Sequence, residues 1–315
     1  YMVSVRDKSG QELKVKGCIP ADYARPESAM EKEVVCDFRL RELPSGRKVR
    51  FAVKPMESFG GLGGEIVSGV FAVPDWALKL PPKDKLHLYL LVGQSNMAGR
   101  GDLSKAEPVS SDRIIKLAKD NEWDVGKEPL HFDKRTAGAG LGMSFARTMA
   151  DAEPGVTIGL VPCAVGGTSI QQWKKGAELY EKAIRRARRA MQDGTLKGII
   201  WHQGESNAAS KLDAEAWGGR FADMVKAMRA ELGDVPFVAG ELGEYLKDNK
   251  NKKGESNFPY AGTVNAALHA AEGKFAKYAV VSAQGLTPNK DNLHFDTPSL
   301  RTFGKRYAEA MLKFK

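Results

Sequence analysis

The sequence predicts an α/β domain with a parallel sheet covered by helices on both faces, preceded by a small β-rich region. From about residue 85 onward, short apolar runs alternate with stretches of helical periodicity. Strands that alternate with helices are joined by right-handed crossovers, which produces a parallel sheet between two helical layers. Before about residue 80 the pattern is irregular and β-like, without helical periodicity of useful length.

Residues 1–82 form the predicted β-rich N-terminal accessory region, ahead of the main domain at 83–315. Apolar residues alternate with charged ones over 36–41 and again over 49–53, which predicts two half-buried strands. A turn-forming segment lies between them, so they are expected to form a hairpin. The Pro81-Pro82 pair marks the boundary between the two regions.

Five short apolar runs predict the strands of the main sheet. None shows the strict alternation of a strand with one wet face, so each suits a strand buried on both faces. The runs are Leu86–Val92, Val156–Val161, Gly198–Trp201, Val235–Ala239 and Tyr278–Ala283.

Three amphipathic stretches predict helices at 180–191, 214–232 and 297–311, because their apolar residues recur at spacings of three and four. Thr297-Pro298 is expected to cap the last of these helices. The arginines at 185–189 mostly fall on the polar side of the first helix and are expected to be solvated.

Composition excludes several classes of protein. The chain has 315 residues, 42% of them hydrophobic, which is enough for a large core. No apolar run approaches the roughly 18 residues of a membrane span. The net charge of +9 is spread along the chain and does not favour a nucleic-acid partner. The five histidines and three cysteines show no metal-ligand spacing, so no metal and no cofactor are expected.

Polar residues follow several of the predicted strands at the point where each strand ends. The four segments are 93–101, 166–169, 202–207 and 291–294. In an open parallel sheet, ligands bind outside the carboxyl ends of the strands. The sequence therefore predicts that these four segments meet in one functional site.

Ser95, His294 and Asp291 are the candidate catalytic residues. A serine hydroxyl becomes a good nucleophile when an imidazole takes its proton, and a carboxylate then orients that imidazole. Each residue also has a structural interpretation: Ser95 as a helix cap, His294 as an ordinary core or surface histidine, and Asp291 as a turn former. Their convergence on one rim of the sheet favours the catalytic interpretation.

Acyl transfer also needs hydrogen-bond donors for the oxygen that becomes negative. The backbone N–H groups of Ser95 and Gly167 and the side-chain amide of Gln203 are the predicted donors. Gly166 and Gly167 could alternatively be turn glycines with no further role.

Four motifs carry a resemblance to a known family. They are GQSNMAGRG at 93–101, PCAVGGTSI at 162–170, WHQGESN at 201–207 and DNLHF at 291–295. Together, in this order, they resemble the four blocks of SGNH-type hydrolases. The similarity covers about residues 86–312 and is greatest to the branch of sialate O-acetylesterase-like proteins and family 6 carbohydrate esterases, which includes acetyl xylan esterases.

The resemblance implies a flavodoxin-like three-layer α/β/α fold and metal-independent removal of acetyl groups from carbohydrates. It implies Ser95 as nucleophile, His294 as base and Asp291 as its partner. Glu205 is a second choice for the acid, because a glutamate of this motif has also been considered the partner of the histidine. Gln203 stands where the wider superfamily usually has Asn. The residues expected to bind substrate are Gln94, Asn96, Arg100, Gly166 and Trp173.

Other functions remain possible from the sequence. A non-catalytic carbohydrate-binding protein on the same fold would be expected to lack the serine or the histidine, and both are present. A lipase or general carboxylesterase of the α/β-hydrolase type would carry G-x-S-x-G, but Met97 replaces the second glycine. A dinucleotide-binding protein would need G-x-G-x-x-G after the first strand, which is absent.

The loop after the fourth predicted strand is rich in lysine, and the rule on strand ends places it near the site. Lys247, Lys250, Lys252 and Lys253 would there attract an acidic polysaccharide. A mobile, solvated loop is the competing interpretation.

A carbohydrate esterase of this type is expected to be secreted or periplasmic, although no signal sequence is visible in the chain, which begins at Tyr1. In an oxidising compartment Cys18 and Cys36 could pair. Cys163 ends a buried strand and is expected to stay reduced.

Overall fold

The computed structural model describes residues 78–106, 109 and 111–315 in full, together with the backbone of five strands nearer the amino terminus. The chain divides into two compact units, Tyr1–Lys79 and Leu80–Lys315. The boundary that the sequence predicts, between residues 82 and 83, lies three residues later.

The first unit contains an antiparallel sheet of five strands. Its order is β2-β1-β3-β4, and β5 also pairs with β3. The predicted strand at 49–53 lies within β3, whereas 36–41, Cys18 and Cys36 lie outside the described residues. The strands are β1 (Met2–Asp7), β2 (Glu12–Leu13), β3 (Lys48–Lys54), β4 (Ile66–Val67) and β5 (Phe71–Ala72).

The second unit is built on a sheet of seven strands in the order β12-β11-β10-β6-β9-β7-β8. Every neighbouring pair is parallel except β7 and β8, which are antiparallel. The strands are β6 (Leu86–Gly93), β7 (Ile114–Leu117), β8 (Trp123–Val125), β9 (Thr157–Pro162), β10 (Thr195–His202), β11 (Phe237–Gly240) and β12 (Tyr278–Val281).

Helices cover both faces of this sheet. Tyr89 and Leu91 of β6 belong to one apolar cluster with α2 and α7. Leu88 and Leu90 alternate with them, point to the opposite face and are also fully buried. The helices are α1 (Ser95–Ala98), α2 (Gly142–Ala152), α3 (Glu178–Ala190), α4 (Glu205–Ala208), α5 (Lys211–Leu232), α6 (Ala261–Ala270) and α7 (Thr297–Leu312). The predicted three-layer α/β/α fold is confirmed.

All five predicted strands and all three predicted helices are present in the second unit, with ends that differ by a few residues. The sequence analysis did not predict β7, β8, α2 or α6. β7 and β8 hold only four and three residues, and Lys116 and Asp124 interrupt their apolar runs. Among the described residues, no helix is long and apolar enough to cross a membrane.

Two local expectations need correction. Asp296, not Thr297, caps α7, because its side chain accepts a hydrogen bond from Ser299 N at 2.8 Å. Arg186 is buried rather than solvated, since its guanidinium donates to the carbonyl oxygen of Leu117 at 2.8 Å and lies over the ring of Phe132. A guanidinium buried in this way fixes α3 against the loop after β7.

Cys163 follows β9 directly and is buried and unpaired, as expected. Burial raises the pKa of its thiol, and the nearby Arg186 only partly offsets this. A thiol of this kind is mainly protonated at neutral pH and reacts poorly.

The position of β6 in the sheet determines where the site lies. The chain moves from β6 to one side of the sheet, through β7 to β9, and then to the other side, through β10 to β12. This reversal makes the carboxyl ends of β9, β6 and β10 the topological switch point, where α/β proteins bind ligands. The loops join there: Val165 N donates to Gly93 O at 3.0 Å, and Gln94 N donates to His202 O at 2.8 Å.

Candidate active site

Ser95 is the first residue of α1 and follows the central strand directly. Gly93 allows this sharp exit from the strand. Its φ is +132°, and a Cβ there would lie 2.0 Å from the carbonyl oxygen of His202. The N–H of a first helical residue has no partner within its helix, which is consistent with the donor role predicted for the Ser95 N–H.

Ser95, His294 and Asp291 form a continuous line of hydrogen bonds. His294 Nε2 lies 2.9 Å from Ser95 Oγ, and His294 Nδ1 lies 2.6 Å from Asp291 Oδ2. With the ring hydrogen on Nδ1, the imidazole donates to the carboxylate and Nε2 accepts from the serine hydroxyl. This geometry matches what proton transfer from serine to histidine requires.

Asp291 is held by its own loop as well as by the imidazole. Its Oδ1 accepts from the backbone N–H groups of Leu293 and His294, at 3.0 and 2.9 Å. Burial tends to raise the pKa of this carboxyl, but the hydrogen bonds from His294 and Leu293 outweigh that effect and the pKa is lowered. Asp291 is therefore a carboxylate at neutral pH.

Glu205 does not contact His294. It is buried, and its Oε1 lies 2.5 Å from Asn96 Nδ2 and 3.5 Å from His202 Nδ1. Asn96 in turn contacts the chain on both sides of His294: its Nδ2 donates to Leu293 O at 3.3 Å, and its Oδ1 accepts from Phe295 N at 3.0 Å. Glu205 thus supports, through Asn96, the segment 291–295 that carries His294, which we call the histidine loop.

The loop after β9 supplies the predicted backbone donor. Gly167 has a φ of +79°, a conformation that favours glycine. A Cβ on the neighbouring Gly166 would lie 3.3 Å from Ser95 Cβ, so the two segments are in close contact. The structure therefore brings the Gly166-Gly167 pair next to the candidate nucleophile.

Gln203 is fully buried at the carboxyl end of β10. Its Nε2 lies 3.2 Å from Gln94 Oε1, 3.1 Å from Thr168 O and 2.8 Å from Asn207 Oδ1, and its Oε1 accepts from Trp217 Nε1. These contacts occupy both amide hydrogens and tie three loops together. A role for Gln203 as third oxyanion donor stays a prediction.

The five residues expected to bind substrate all lie around Ser95, but in different ways. Gln94 and Asn96 are almost fully buried and hold neighbouring loops. Arg100 pairs with Asp133 at 2.6 Å, and Gly166 N donates to the same carboxylate oxygen at 2.8 Å.

Trp173 requires a correction. Its side chain is 0% exposed, and its Nε1 donates to Thr168 Oγ1 at 3.1 Å. A fully buried ring has no surface to offer a substrate, so Trp173 supports the loop after β9 from beneath.

Sequence reasoning missed three residues of the site. Asp133 lies in a segment without regular periodicity, and nothing in its neighbourhood distinguishes it from a loop aspartate. Asn289 Nδ2 donates to Arg100 O at 3.1 Å, and Tyr245 Oη donates to Leu293 O at 3.3 Å. The four polar segments that follow strands predicted only those site residues that lie within the segments themselves.

The lysine-rich loop contacts the histidine loop. Asn249 Nδ2 donates to the carbonyl oxygens of Asp291 and Asn292, at 2.9 and 3.1 Å. All four lysines of the loop, Lys247, Lys250, Lys252 and Lys253, are exposed. Lys134 lies on the other side, with its Nζ 3.7 Å from the position that a Cβ on Gly167 would take.

The assembled groups suit acyl transfer by a serine nucleophile. Among the residues that the structure describes, no group of three or more His, Cys, Asp or Glu side chains could hold a metal ion. A central parallel sheet, a serine after its middle strand and an Asp-x-x-His loop define the SGNH-type hydrolase class.

The chain belongs to the carbohydrate esterase family described as sialic acid-specific acetylesterase, whose family model matches residues 85–313. It is 31% identical over 273 residues to "Probable carbohydrate esterase At4g34215" of Arabidopsis thaliana, an alignment that covers 79% of this chain and 98% of the relative.

Solved structures share the fold. The Arabidopsis thaliana protein AT4G34215 matches with a TM-score of 0.65 at 30% identity, covering 74% of this chain and 99% of that one. NanS matches with a TM-score of 0.60 at 20% identity, covering 75% and 99%. XAC1771, a carbohydrate acetylesterase from Xanthomonas citri, matches with a TM-score of 0.52 at 21% identity, covering 84% and 60%.

Proposed function

We propose that this protein removes O-acetyl groups from carbohydrates by a Ser-His-Asp mechanism, with Ser95 as nucleophile. The observation that carries the proposal is the hydrogen-bonded line from Asp291 through His294 to Ser95. It lies at the switch point of the sheet, in a chain of the carbohydrate esterase family.

In the first half of the reaction, Ser95 Oγ attacks the carbonyl carbon of the acetyl ester while His294 Nε2 takes the serine proton. Asp291 keeps the ring hydrogen on Nδ1 and stabilises the charged imidazolium. The carbonyl oxygen becomes negative and accepts hydrogen bonds from the N–H groups of Ser95 and Gly167. Each such donor is worth about 2.7–4 kcal/mol in the transition state.

When the tetrahedral intermediate collapses, the bond between the acetyl carbon and the sugar oxygen breaks, and His294 returns its proton to that oxygen. An acetylated Ser95 remains. A water molecule then gives a proton to His294 and attacks the acetyl carbon. The bond from that carbon to Ser95 Oγ breaks, His294 returns the proton to Ser95 Oγ, and acetic acid leaves and ionises to acetate.

The proposed substrate is an O-acetylated polysaccharide or sialoside, and an acidic glycan is favoured over a neutral one. The support is electrostatic, because the four exposed lysines lie on a loop bonded to the histidine loop and Lys134 lies beside Gly167. Positive charge around a cleft raises the local concentration of an anionic substrate. We also propose that the protein works outside the cytoplasm, where such polysaccharides are found.

A screen for acetate release tests the proposal. Acetylated xylan, pectin, sialosides and algal glycans are each incubated with the parent protein and with Ser95→Ala, and acetate is measured. Release by the parent from at least one carbohydrate, and none by Ser95→Ala, is the expected result. Glycan binding without acetate release would instead support a non-catalytic carbohydrate-binding protein, and release only from simple esters would support a general carboxylesterase.

A further inference from the structure

The direction of the Gly167 N–H depends on a flexible peptide. The peptide unit joins Gly166 to Gly167, and neither residue has a Cβ to limit its rotation. An oxyanion donor contributes fully only if it already points at the developing charge. Something outside these two glycines must therefore hold this peptide in place.

The preceding peptide, which joins Val165 to Gly166, is held by Asp133. Its Oδ2 accepts from Gly166 N at 2.8 Å and from Arg100 Nη2 at 2.6 Å. The carboxylate is 1% exposed, and its Oδ1 is buried with no hydrogen-bond partner among the described residues. Burying a carboxylate with one oxygen unsatisfied costs stability, which argues for a role beyond packing.

Arg100 connects this carboxylate to the other parts of the site. Its Nη1 donates to Gly99 O at 2.7 Å, just after the nucleophile's helix. Its own carbonyl oxygen accepts from Asn289 Nδ2, and Asn289 N donates to His294 O at 2.7 Å. We call the loop after β9 that contains Gly166 and Gly167 the glycine loop. Asp133 and Arg100 therefore join the glycine loop to the segments that carry the serine and the histidine.

Beyond Gly167, the chain is held at Thr168. Its carbonyl oxygen accepts from Gln203 Nε2 at 3.1 Å, and its Oγ1 donates to Val165 O at 2.8 Å. The glycine pair is thus fixed at both ends, and Asp133 is the charged one of the two anchors.

We propose that Asp133 is a positioning residue that aims the Gly167 N–H at the oxyanion by holding Gly166 N, and that Arg100 acts through Asp133 rather than on the substrate. The inference rests on the proposed function. Burial works to raise the pKa of Asp133, but Arg100 and the Gly166 N–H outweigh it and the pKa is lowered. The anchor is accordingly a charged acceptor at neutral pH.

The test compares Asp133→Ala and Asp133→Asn with the parent. Two quantities are measured: turnover of 4-nitrophenyl acetate, and calorimetric affinity for methylboronic acid, whose tetrahedral adduct on serine places an oxygen at the oxyanion position. Asp133→Ala should lower kcat by about 10²-fold with little change in KM, as for a lost or misplaced oxyanion donor. Boronate affinity should fall with it. Asp133→Asn should lie between, because its amide oxygen can still accept from Gly166 N.

Glu128→Ala is the matched control. Glu128 is also a partly buried carboxylate that accepts from an arginine, Arg301, and from a glycine N–H, that of Gly140 at 2.8 Å. It has no contact with the glycine loop, so its loss should lower the melting temperature without changing kcat or boronate affinity.

Three outcomes overturn the inference. In the first, folded Asp133→Ala keeps its kcat within about threefold of the parent, far from the loss expected of a donor. In the second, turnover falls while boronate affinity is unchanged. In the third, Glu128→Ala reproduces both effects. If Asp133→Ala does not fold, parent-like values for Asp133→Asn have the same meaning. A parent that neither hydrolyses acetyl esters nor binds boronate would overturn the proposed function as well, whereas an active parent with an indifferent Asp133 overturns only this inference.

Discussion

The side-chain amide of Asn96 donates a buried hydrogen bond of 2.5 Å to Glu205 Oε1. Asn96 lies in the segment of the candidate nucleophile, and Glu205 lies in the segment after β10. The same amide group bonds the backbone at Leu293 and Phe295. Glu205 and His294 are therefore connected through one intermediate side chain. This arrangement assigns the two candidate acids different tasks, which mutation can separate.

Asp291→Asn should lower kcat far more than it lowers the melting temperature. The carboxylate is 49% exposed, so little packing is lost, but the imidazole loses the group that sets its tautomer. The defect can reach about 10⁴ in kcat in the serine protease where it has been measured. Steady-state kinetics and thermal unfolding of the same preparation give the two values.

Glu205→Ala should show the opposite balance. Removing the buried carboxylate leaves one N–H of the Asn96 amide without its acceptor, at a cost of about 1–3 kcal/mol. In a domain of this size each kcal/mol lowers the melting temperature by about 2–4 °C. A Glu205→Gln protein with unchanged melting and a loss of kcat larger than that of Asp291→Asn would make Glu205 the triad acid.

Ser95→Ala and His294→Ala should each abolish nearly all hydrolysis of a small acetyl ester while the fold is kept. The first removes the nucleophile and the second removes its base. Ser104→Ala is a suitable control, because that serine is exposed and, among the described residues, its hydroxyl bonds Asp102 rather than any residue of the site. Circular dichroism checks the fold, and a Ser95→Ala protein with more than a few per cent of parental activity would contradict the assignment.

Activity should rise with pH on the acidic side through the loss of a single proton. Only neutral imidazole can accept from Ser95, and the lowered pKa of Asp291 keeps that carboxyl charged throughout this limb. A profile of kcat/KM against pH tests this, and an acidic limb that follows the loss of two protons would contradict it.

The same carboxyl should affect stability at low pH. A group whose pKa is lowered by folding stabilises the protein above its unfolded value, near 3.9 for Asp, and this contribution is lost as the pH falls through the lower folded value. Asp291→Asn should therefore lose less stability than the parent when the pH falls below the unfolded pKa of Asp. Unfolding curves of both proteins, recorded above and below that pH, measure the difference.

Chelators should leave the activity unchanged, because serine, histidine, aspartate and backbone N–H groups supply every step of the proposed reaction. Incubation with EDTA followed by an acetyl ester assay is the measurement. Inhibition that zinc then reverses would point to a metal mechanism instead.

Replacing Lys247, Lys250, Lys252 and Lys253 by Ser should raise KM for an acidic acetylated polysaccharide and leave a small neutral ester unaffected. The effect should weaken at high salt, because exposed charges are screened over about 10 Å at 0.1 M ionic strength. Equal changes for both substrates would show that the loop shapes the site rather than attracting charge.

The parts of the fold predicted from sequence are those with strong local patterns. Uniform apolar runs revealed β6 and β9 through β12, and helical periodicity revealed α3, α5 and α7. The strand pair β7 and β8 was missed because Lys116 and Asp124 interrupt their short apolar runs. The prediction that Arg186 is solvated was wrong because helical periodicity shows which side of the helix a residue lies on. It does not show whether a carbonyl group from a distant part of the chain lies within hydrogen-bonding distance.

At the site, the sequence indicated the candidate catalytic residues but not the residues that hold them in place. Ser95, Asp291 and His294 lie in strand-end segments, where chemistry is expected. Asp133 and Asn289 act through contacts with residues 33 and 189 positions away. The oxygen of Gln203 accepts from Trp217 and its nitrogen serves other loops, a partnership that only the folded chain determines.

Ser95 and His294 are 199 residues apart in sequence yet only 2.9 Å apart at their reacting atoms. The entropy of closing a chain segment grows slowly with its length, by about 0.6 kcal/mol for each doubling. The length of the intervening chain is thus a minor cost, and surface connections within it can lengthen without separating the pair. New or longer loops around the cleft should therefore lower the stability of the fold only slightly. A change at Asn96 or Asp133, by contrast, acts directly on the geometry of the site.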